Sequence, residues 1–484
     1  MIRRLLAALA LAAAAAPAMA QASDIDFDAL FGSEDDLFME VEEDSSTIPG
    51  QALIQTESVR VGGSVSGSAT ASWTWNDPYQ DFSLDGFDSY GLKPALSATL
   101  FFDARPSADS RFYGSIKTAW PFETSKRFVT TDKPIGLPPN YDIDKPYLSS
   151  VKELNISVFE LFADFNYNDS VFFRFGKQTV NWGVGYFFSP ANVINLESID
   201  PFDPERQLEG PVSLRAHYPI PRTQHNLWAY AVLPAADMKP EDVQVAAKAE
   251  FVSGAWEFGL GGWYAYERPL RGIVTASGSV GQVSLFGEGY VARGSDKTFV
   301  TAVTTNPLTN FVDSAKYDDR IFLKGSAGFM WSKSDWHFSV AGQYLYDGEG
   351  YTDADREARI DEAYTNETDI RNALTTAGVD DVDTAFTGFV KGLILNSGRH
   401  YAALNLSKSE LGLKDLSANL TVLANLSDWS GIARPSLSYR LFKGMSASLS
   451  ASFAFGLEDS EYLVLNDGPA MSWSFGLTMG SGSF

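Results

Sequence analysis

Along most of the chain apolar and polar residues alternate with period two. From Val59 to Trp75 the odd positions read V, V, G, V, G, A, A, W, W, and the even positions R, G, S, S, S, T, S, T. The same division recurs over Val243–Phe251, Trp256–Tyr266, Met445–Phe455 and Met471–Met479, where serines and glycines interleave with Val, Leu, Met, Phe and Trp. Successive side chains of an extended chain point to opposite faces, so each run is a strand with one apolar face and one small, polar face. Beyond the N-terminus no stretch approaches 18 consecutive apolar residues, which excludes helical membrane spans.

A soluble sandwich also alternates, and two features separate it from a barrel in lipid. Aromatic residues sit near both ends of the apolar faces: Trp73, Trp75, Trp120, Tyr264, Tyr266, Tyr344 and Tyr346 at one set of ends, Trp256, Trp331 and Trp336 at the other. Rings at both ends suit two headgroup regions. The second feature is the connections. Short turns near 106–109, 167–169, 219–222, 254, 280–281, 332–335, 408–412 and 443–444 alternate with mostly longer loops near 76–90, 121–150, 182–210, 233–241, 267–271, 294–319, 347–399, 427–429 and 457–468. Outer-membrane barrels have short periplasmic turns and long external loops. The alternation predicts an all-β fold, a transmembrane antiparallel β-barrel of about 18 strands (range ~16–20), with both termini on the short-turn, periplasmic side. Ala385–Asn396 reads equally as an extra strand or a loop helix.

The N-terminus divides into three parts. Arg3 and Arg4, an apolar run over Leu5–Ala16 and Ala18-Met19-Ala20 form a cleavable secretory signal over 1–20. An acidic periplasmic extension follows over 21–57, and the barrel occupies 58–484. Asp24–Asp44 carries ten acids and no base, with Phe27, Leu30, Phe31, Leu37, Phe38 and Val41 at roughly helical spacing. By composition this segment is a solvated extension; its functional alternatives are docking on a periplasmic partner or folding up into the lumen. The chain has no cysteine, so disulfides, thiolate nucleophiles and thiolate metal sites are out. With 37 basic and 61 acidic residues the net charge is −24, which argues against nucleic acid as a partner.

For catalysis the sequence offers little. His217, His225, His337 and His400 stand in no HExxH, and neither a GxSxG elbow nor a GxxxxGK[ST] loop is present. His337 alternates with Trp336 and Phe338, which predicts a lumen-facing position. The acidic run DGEGYTDAD at 347–355 lacks the order of an EF-hand loop, and no metal or cofactor is expected. The residues after it, 353–378, predict a helix or two over the outer mouth. By parity the inward bases are Arg60, Lys93, Arg105, Arg111, Lys117, Arg174, Lys248, Lys324, Arg399, Arg434 and Arg440, and the inward acids Asp103, Glu160, Asp164, Glu257 and Glu288. A basic lining favours anions. The alternative is that these bases pair with nearby acids, as Arg174 would with Asp164 across the turn at 167–169.

One stretch breaks the alternation: RFGKQTVNWGVGYFFSPANVINLESIDPFDPERQLEGP, residues 174–211. Parity holds through Phe175 and fails at Gly176–Lys177, where a strand departure or bulge is expected. Its glycines do not open a helix with G-x-G-x-x-G spacing, so no cofactor loop is predicted. GKQTVNWG at 176–183, with the FFSPANVINLESIDPFDPE that follows, resembles a segment of porin-like outer-membrane proteins and, more distantly, of alginate-export-type channels. The resemblance implies an outer-membrane channel with a loop constricting the pore. Glu197, Asp200, Asp203, Glu205 and Glu209 would be that loop's acids, opposed to the basic wall. The expected function is passive diffusion of small hydrophilic solutes, anion-leaning. Its rivals are a surface-exposed structural or adhesive barrel with a plugged lumen and, further off, a barrel hydrolase. The partners implied are outer-membrane lipid, the barrel-assembly machinery, the solutes and a periplasmic partner for 24–44. The terminal Phe484 falls on the wrong parity for the usual C-terminal strand.

Overall fold

The computed structural model describes residues 54–56, 58–75, 87–121, 124–128, 148–152, 156–234, 238–304, 312–376, 379, 381–394, 397–457, 460–464 and 471–483. The signal, the acidic segment 24–44 and Phe484 lie outside the described residues.

Eighteen long strands follow one another around a single sheet. They are β1 (Val59–Trp75), β2 (Phe87–Ser107), β3 (Ser110–Trp120), β4 (Ile156–Tyr167), β5 (Val171–Lys177), β6 (Val212–Pro219), β7 (Asn226–Leu233), β8 (Gln244–Ser253) and β9 (Trp256–Tyr264). They continue as β10 (Arg271–Val280), β11 (Val283–Arg293), β12 (Ile321–Lys333), β13 (Phe338–Asp347), β14 (His400–Lys408), β15 (Leu416–Asn425), β16 (Ser430–Phe442), β17 (Met445–Phe455) and β18 (Met471–Ser483). Each pairs antiparallel with the next. β18 pairs back onto β1, with Trp473 opposite Trp73 and Thr478 opposite Ser68, so the sheet closes. Closure removes the sheet edge, which is what allows a sheet to cross lipid with every backbone group paired.

The outer faces are those of a membrane protein. Leu92, Leu96, Leu100 and Phe102 on β2, Phe112, Ile116 and Trp120 on β3, Leu260 on β9 and Val274 on β10 are exposed. Exposed rings flank this belt: Trp73, Trp120, Tyr264 and Tyr344 toward the long-loop rim, Tyr167, Tyr218 and Trp336 toward the short-turn rim. β4 carries one extra residue, because Ser115 faces Glu160 while Ile116 faces Val158. That bulge keeps Glu160, Phe162 and Asp164 inward while Val158 and Leu161 both face lipid.

Two readings resolve at the long-loop rim. Over its described residues, 385–394, the ambiguous segment is helix: α1 (Asp353–Thr365), α2 (Glu367–Thr376) and α3 (Val382–Ile394) occupy the loop after β13. They pack against a hairpin, Phe299–Val303 with Val312–Ala315, from the loop after β11. Val300, Val303, Val312, Ile360, Ile370, Leu374, Phe386 and Phe389 are the buried core of this small cap. Lys297 at the foot of the hairpin donates to the Glu349 carbonyl and lies against the Phe299 and Tyr351 rings, and burial pushes its ammonium down from the usual range. The acids of 347–355 are engaged: Asp347 pairs with Lys324 at 2.7 Å, Glu349 accepts from the Tyr290 hydroxyl, and Asp355 joins the Thr352 N-cap.

His337 is a correction. It ends the short turn after β12 in left-handed backbone (φ +47°), half-exposed, with Nε2 3.3 Å from Glu410 of the next turn. The alternation through Trp336–Phe338 is accidental, because a 3-10 turn over Ser334–Trp336 interrupts the strand. It does not face the lumen.

Candidate functional site: the lumen loop and its anchors

β5 ends where the alternation breaks. Gly176 has φ +138°, and a Cβ there would lie 2.1 Å from the Leu161 carbonyl oxygen, so only glycine lets the chain leave the wall at this point. The loop 178–211 then runs inward across the barrel, where each irregular backbone group needs a partner.

The glycine cluster serves that need. The Glu288 carboxylate of β11 accepts the amides of Val184, Gly185 (2.9 Å) and Ala191 (3.1 Å). A Cβ on Gly183 would stand 2.5 Å from that carboxylate, and one on Gly185 would stand 1.9 Å from the Phe188 carbonyl oxygen. Thus the Trp-Gly-Val-Gly turn wraps a carboxylate of its own wall. One step further, Gln343 Oε1 on β13 accepts the amides of Tyr186 (3.1 Å), Phe187 (2.7 Å) and Phe188 (3.1 Å), and its Nε2 donates to the Phe188 carbonyl (2.6 Å). Lys248 Nζ on β8 donates to the Trp182 carbonyl at 3.1 Å. Each of these groups left unpaired would cost about 1–3 kcal/mol, so Glu288 and Gln343 hold the loop as firmly as several core contacts.

Apolar packing follows the same side. Trp182 stands edge-on to Tyr230 (5.3 Å, 83°) and is buried with Trp263, Ile273 and Tyr290; Phe187 is buried with Phe286, Met330 and Ala341. The loop therefore covers the inner faces of β7–β13. Its tip reaches further: the Phe202 ring lies under the Arg434 guanidinium of β16, 3.6 Å away. β16 stands seven strands from β5 by the shorter way round, so the loop reaches nearly the opposite wall.

The remaining arc differs. Ser436 and Ser438 on β16, Ser446, Ser448, Ser450 and Ser452 on β17, Ser472 and Ser474 on β18, and Ser64, Ser66, Ser68, Thr70 and Ser72 on β1 face inward, and every one keeps partial solvent contact. Water-accessible groups on the inside of a closed sheet mark a wet lumen.

The five loop acids divide. Asp200, Asp203 and Glu205 are exposed. Asp200 Oδ1 caps the Phe202 amide at 2.9 Å, and Glu205 accepts from the Tyr186 hydroxyl at 3.2 Å. Glu197 pairs with Arg206 at 3.1 Å, and Glu209 with Lys177. Glu160 binds the loop instead, taking the Thr179 amide and the Gln207 side chain.

Six of the eleven inward bases are ion-paired: Arg105 and Arg111 with Asp103, Arg174 with Asp164, Lys248 with Glu250, Lys324 with Asp347, and Arg440 with Asp415. The Arg174–Asp164 pair is bidentate, at 2.6 and 3.0 Å. Glu257 stands beside Glu250 and Lys248. Arg399 holds the cap by donating to the Gly350 carbonyl. Lys117 lies on the Phe159 ring at 3.2 Å, Lys93 is exposed on β2, and Arg434 is exposed on the loop tip. The lining is thus less basic than a count of inward bases implies.

Gln343, Arg206, Lys177 and Arg215 escape a parity reading: the first is uncharged, Arg206 lies off the strands, Lys177 ends β5 just where the alternation breaks, and Arg215 sits on a strand too short to show its period. The four histidines bond to Asn226 (His217), the Val252 amide (His225), Glu410 (His337) and Tyr344 (His400). Among the described residues no cluster of metal-binding side chains occurs.

No protein-family model matches the sequence, and no curated protein does. Among solved structures the chain is similar to OccK11 (OpdR) of Pseudomonas aeruginosa, with TM-score 0.43 and 8% identity over 87% of this chain and 95% of that one. It is similar also to OprB of Pseudomonas putida (TM-score 0.40, 10% identity, 88% and 94%). A third is the outer membrane channel DcaP of Acinetobacter baumannii (TM-score 0.35, 10% identity, 89% and 100%). At these values the likeness is one of barrel architecture.

Proposed function

We propose that the chain is an outer-membrane channel for passive diffusion of small hydrophilic solutes, and that the passage runs eccentrically, along the serine-lined arc from β16 to β1. The observation that carries this reading is the inequality of the two arcs. One inner face is buried under loop 178–211, while the other is polar and keeps water contact although it lies inside the barrel. The short-turn rim is the periplasmic one and the cap faces outward. The loop sets the narrowest section: Asp200, Asp203 and Glu205 sit at its tip, where Arg434 of β16 lies against Phe202, and Lys93 stands on the β2 wall.

The anion lean is the finer part of the reading and rests on Arg434, Lys93 and Lys117, three of the lining bases outside the six ion pairs given above. Planar-bilayer recordings test both parts. Stable conductance steps are expected, rising on deletion of residues 184–209, with reversal potentials in a salt gradient displaced toward the anion. Cation selectivity would overturn the lean. Absence of any step, with and without the deletion, would favour the plugged structural or adhesive barrel.

A further inference from the structure

We infer that the outer wall of the barrel holds a phospholipid with an anionic headgroup at the short-turn rim, on a site built by Lys333, Lys408 and the rings between them. The site is set by register. Gln343 of β13 points inward, so Phe338, five residues earlier on the same strand, points outward. Lys333, which ends β12, stands opposite Phe338, and Phe338 stands opposite Lys408, which ends β14. Both lysines therefore face lipid, one on either side of the Phe338 ring, about 10 Å apart across two strand spacings. Trp331 stands edge-on to Phe338 (6.2 Å) and to Trp336 (6.4 Å), and Trp336, in the turn, is exposed.

The two ammonium groups converge on Trp336. Lys333 Nζ lies 5.4 Å from the centre of its ring, and Lys408 Nζ donates to its carbonyl. The carboxylates of the two turns answer them only in part. Asp335 stands 3.8 Å from Lys333 with 86% of its side chain exposed, a length and setting at which an ion pair is weak. Glu410 is engaged with His337 at 3.3 Å, and among the described residues Lys408 has no ion-pair partner. Two cations brought together repel unless an anion sits between them. A phosphate supplies one, and the depth is right for it: lysines at a lipid boundary lay their stems on apolar surface and keep their charge among the headgroups, where tryptophan rings also settle. Toward the midplane the next row is Trp331, Val340 and Leu406, in register on the same three strands. From rim to midplane the site thus offers ammonium, ring and aliphatic surface, in the order of a lipid's phosphate, glycerol and acyl chains. A zwitterionic headgroup would bring its own ammonium against the two lysines, so an anionic one is favoured.

Native mass spectrometry of the full chain, folded in neutral detergent and offered phosphatidylglycerol and phosphatidylcholine in equal amounts, tests the site. Several-fold preferential retention of phosphatidylglycerol is expected, and equal retention of the two lipids would overturn the site. Lys333→Gln combined with Lys408→Gln should abolish the preference, while Lys333→Arg with Lys408→Arg keeps it. Trp336→Ala removes an exposed ring and no strand pairing, so it should weaken retention in a barrel that still migrates as folded in a gel shift, and it carries the test if the glutamine pair fails to fold. The exposed bases of the neighbouring turns are the control. Lys414→Gln with Lys443→Gln should leave the preference in place; an equal loss there would mean diffuse rim charge and overturn the site. Glycerol phosphate in excess should not displace the lipid, and displacement would reassign the lysines to a water-soluble phosphate. No arm of the test depends on whether the barrel conducts.

Discussion

The two halves of the lumen wall are built from the same period-two strands and end in opposite states. On β7–β13 the inward positions are large or hydrogen-bonding, such as Tyr230, Trp263, Ile273, Phe286, Glu288, Met330 and Gln343, and loop 178–211 buries them. On β16, β17, β18 and β1 most inward positions are serines and threonines, and among the described residues none packs on those hydroxyls so closely. The difference shows that inward residue size, rather than polarity alone, decides where a loop can dock. Large side chains offer contact area and reach to irregular backbone; short hydroxyls leave room for water.

Glu288→Ala should break that contrast most strongly. It removes the acceptor of three loop amides, each hydrogen bond to a charged group being worth about 1.5–3 kcal/mol. The strand pairings do not depend on it, so the barrel stays folded while the loop loosens. Several-fold higher single-channel conductance is expected, together with trypsin cleavage at Arg206. Unaltered conductance would mean that the loop does not set the narrow section. Gly183→Ala should act in the same direction but more weakly, because its Cβ, 2.5 Å from the Glu288 carboxylate, displaces the turn without removing the anchor.

A matched pair of substitutions sharpens the comparison. Ala341→Phe places a ring into the packed arc against Phe187 and Met330, where over-packing costs about 1–3 kcal/mol. The folded barrel should then unfold at lower temperature in gel-shift assays, with little change in conductance. Ser448→Phe on the open arc should do the reverse, leaving stability in place and lowering conductance. Equal effects at both sites would erase the distinction between the arcs.

The barrel was legible because period two, aromatic ends and the alternation of short and long connections all repeat some eighteen times, so local slips do not accumulate. Even the departure at Gly176 showed, since one glycine breaks a parity that its neighbours keep. Helix α3 was also encoded: Phe386, Phe389, Val390 and Leu393 stand at helical spacing, although the run is apolar enough to pass for a strand. The anchors were not legible. Glu288 follows its loop by about a hundred residues and Gln343 by more than one hundred and fifty, and parity assigns a face without saying what that face touches. His337 failed for the opposite reason, since a turn can mimic alternation for three residues. The sequence left open whether the inward bases are paired, because such bases can be counted from parity whereas partners such as Asp103 to Arg111 depend on cross-strand register.

That last distinction gives the smallest expected effect and the most selective test. Arg174 and Arg434 are both inward arginines stacked on phenylalanines, at 3.9 Å on Phe162 and 3.6 Å on Phe202. Arg174 is buried and spends its charge on Asp164, whereas Arg434 is exposed at the loop tip. Arg434→Gln forfeits an exposed cation–π contact of about 0.5–1 kcal/mol, too little to free a loop that Glu288 and Gln343 hold. Conductance should therefore stay near the parent value while the reversal potential moves toward the cation. Arg174→Gln should instead lower stability, because it strips Asp164 of its bidentate partner, and should alter selectivity less than Arg434→Gln does. If Arg174→Gln shifted the reversal potential as far as Arg434→Gln, pairing would not silence a lining charge, and the count of inward bases would be the better guide to selectivity after all.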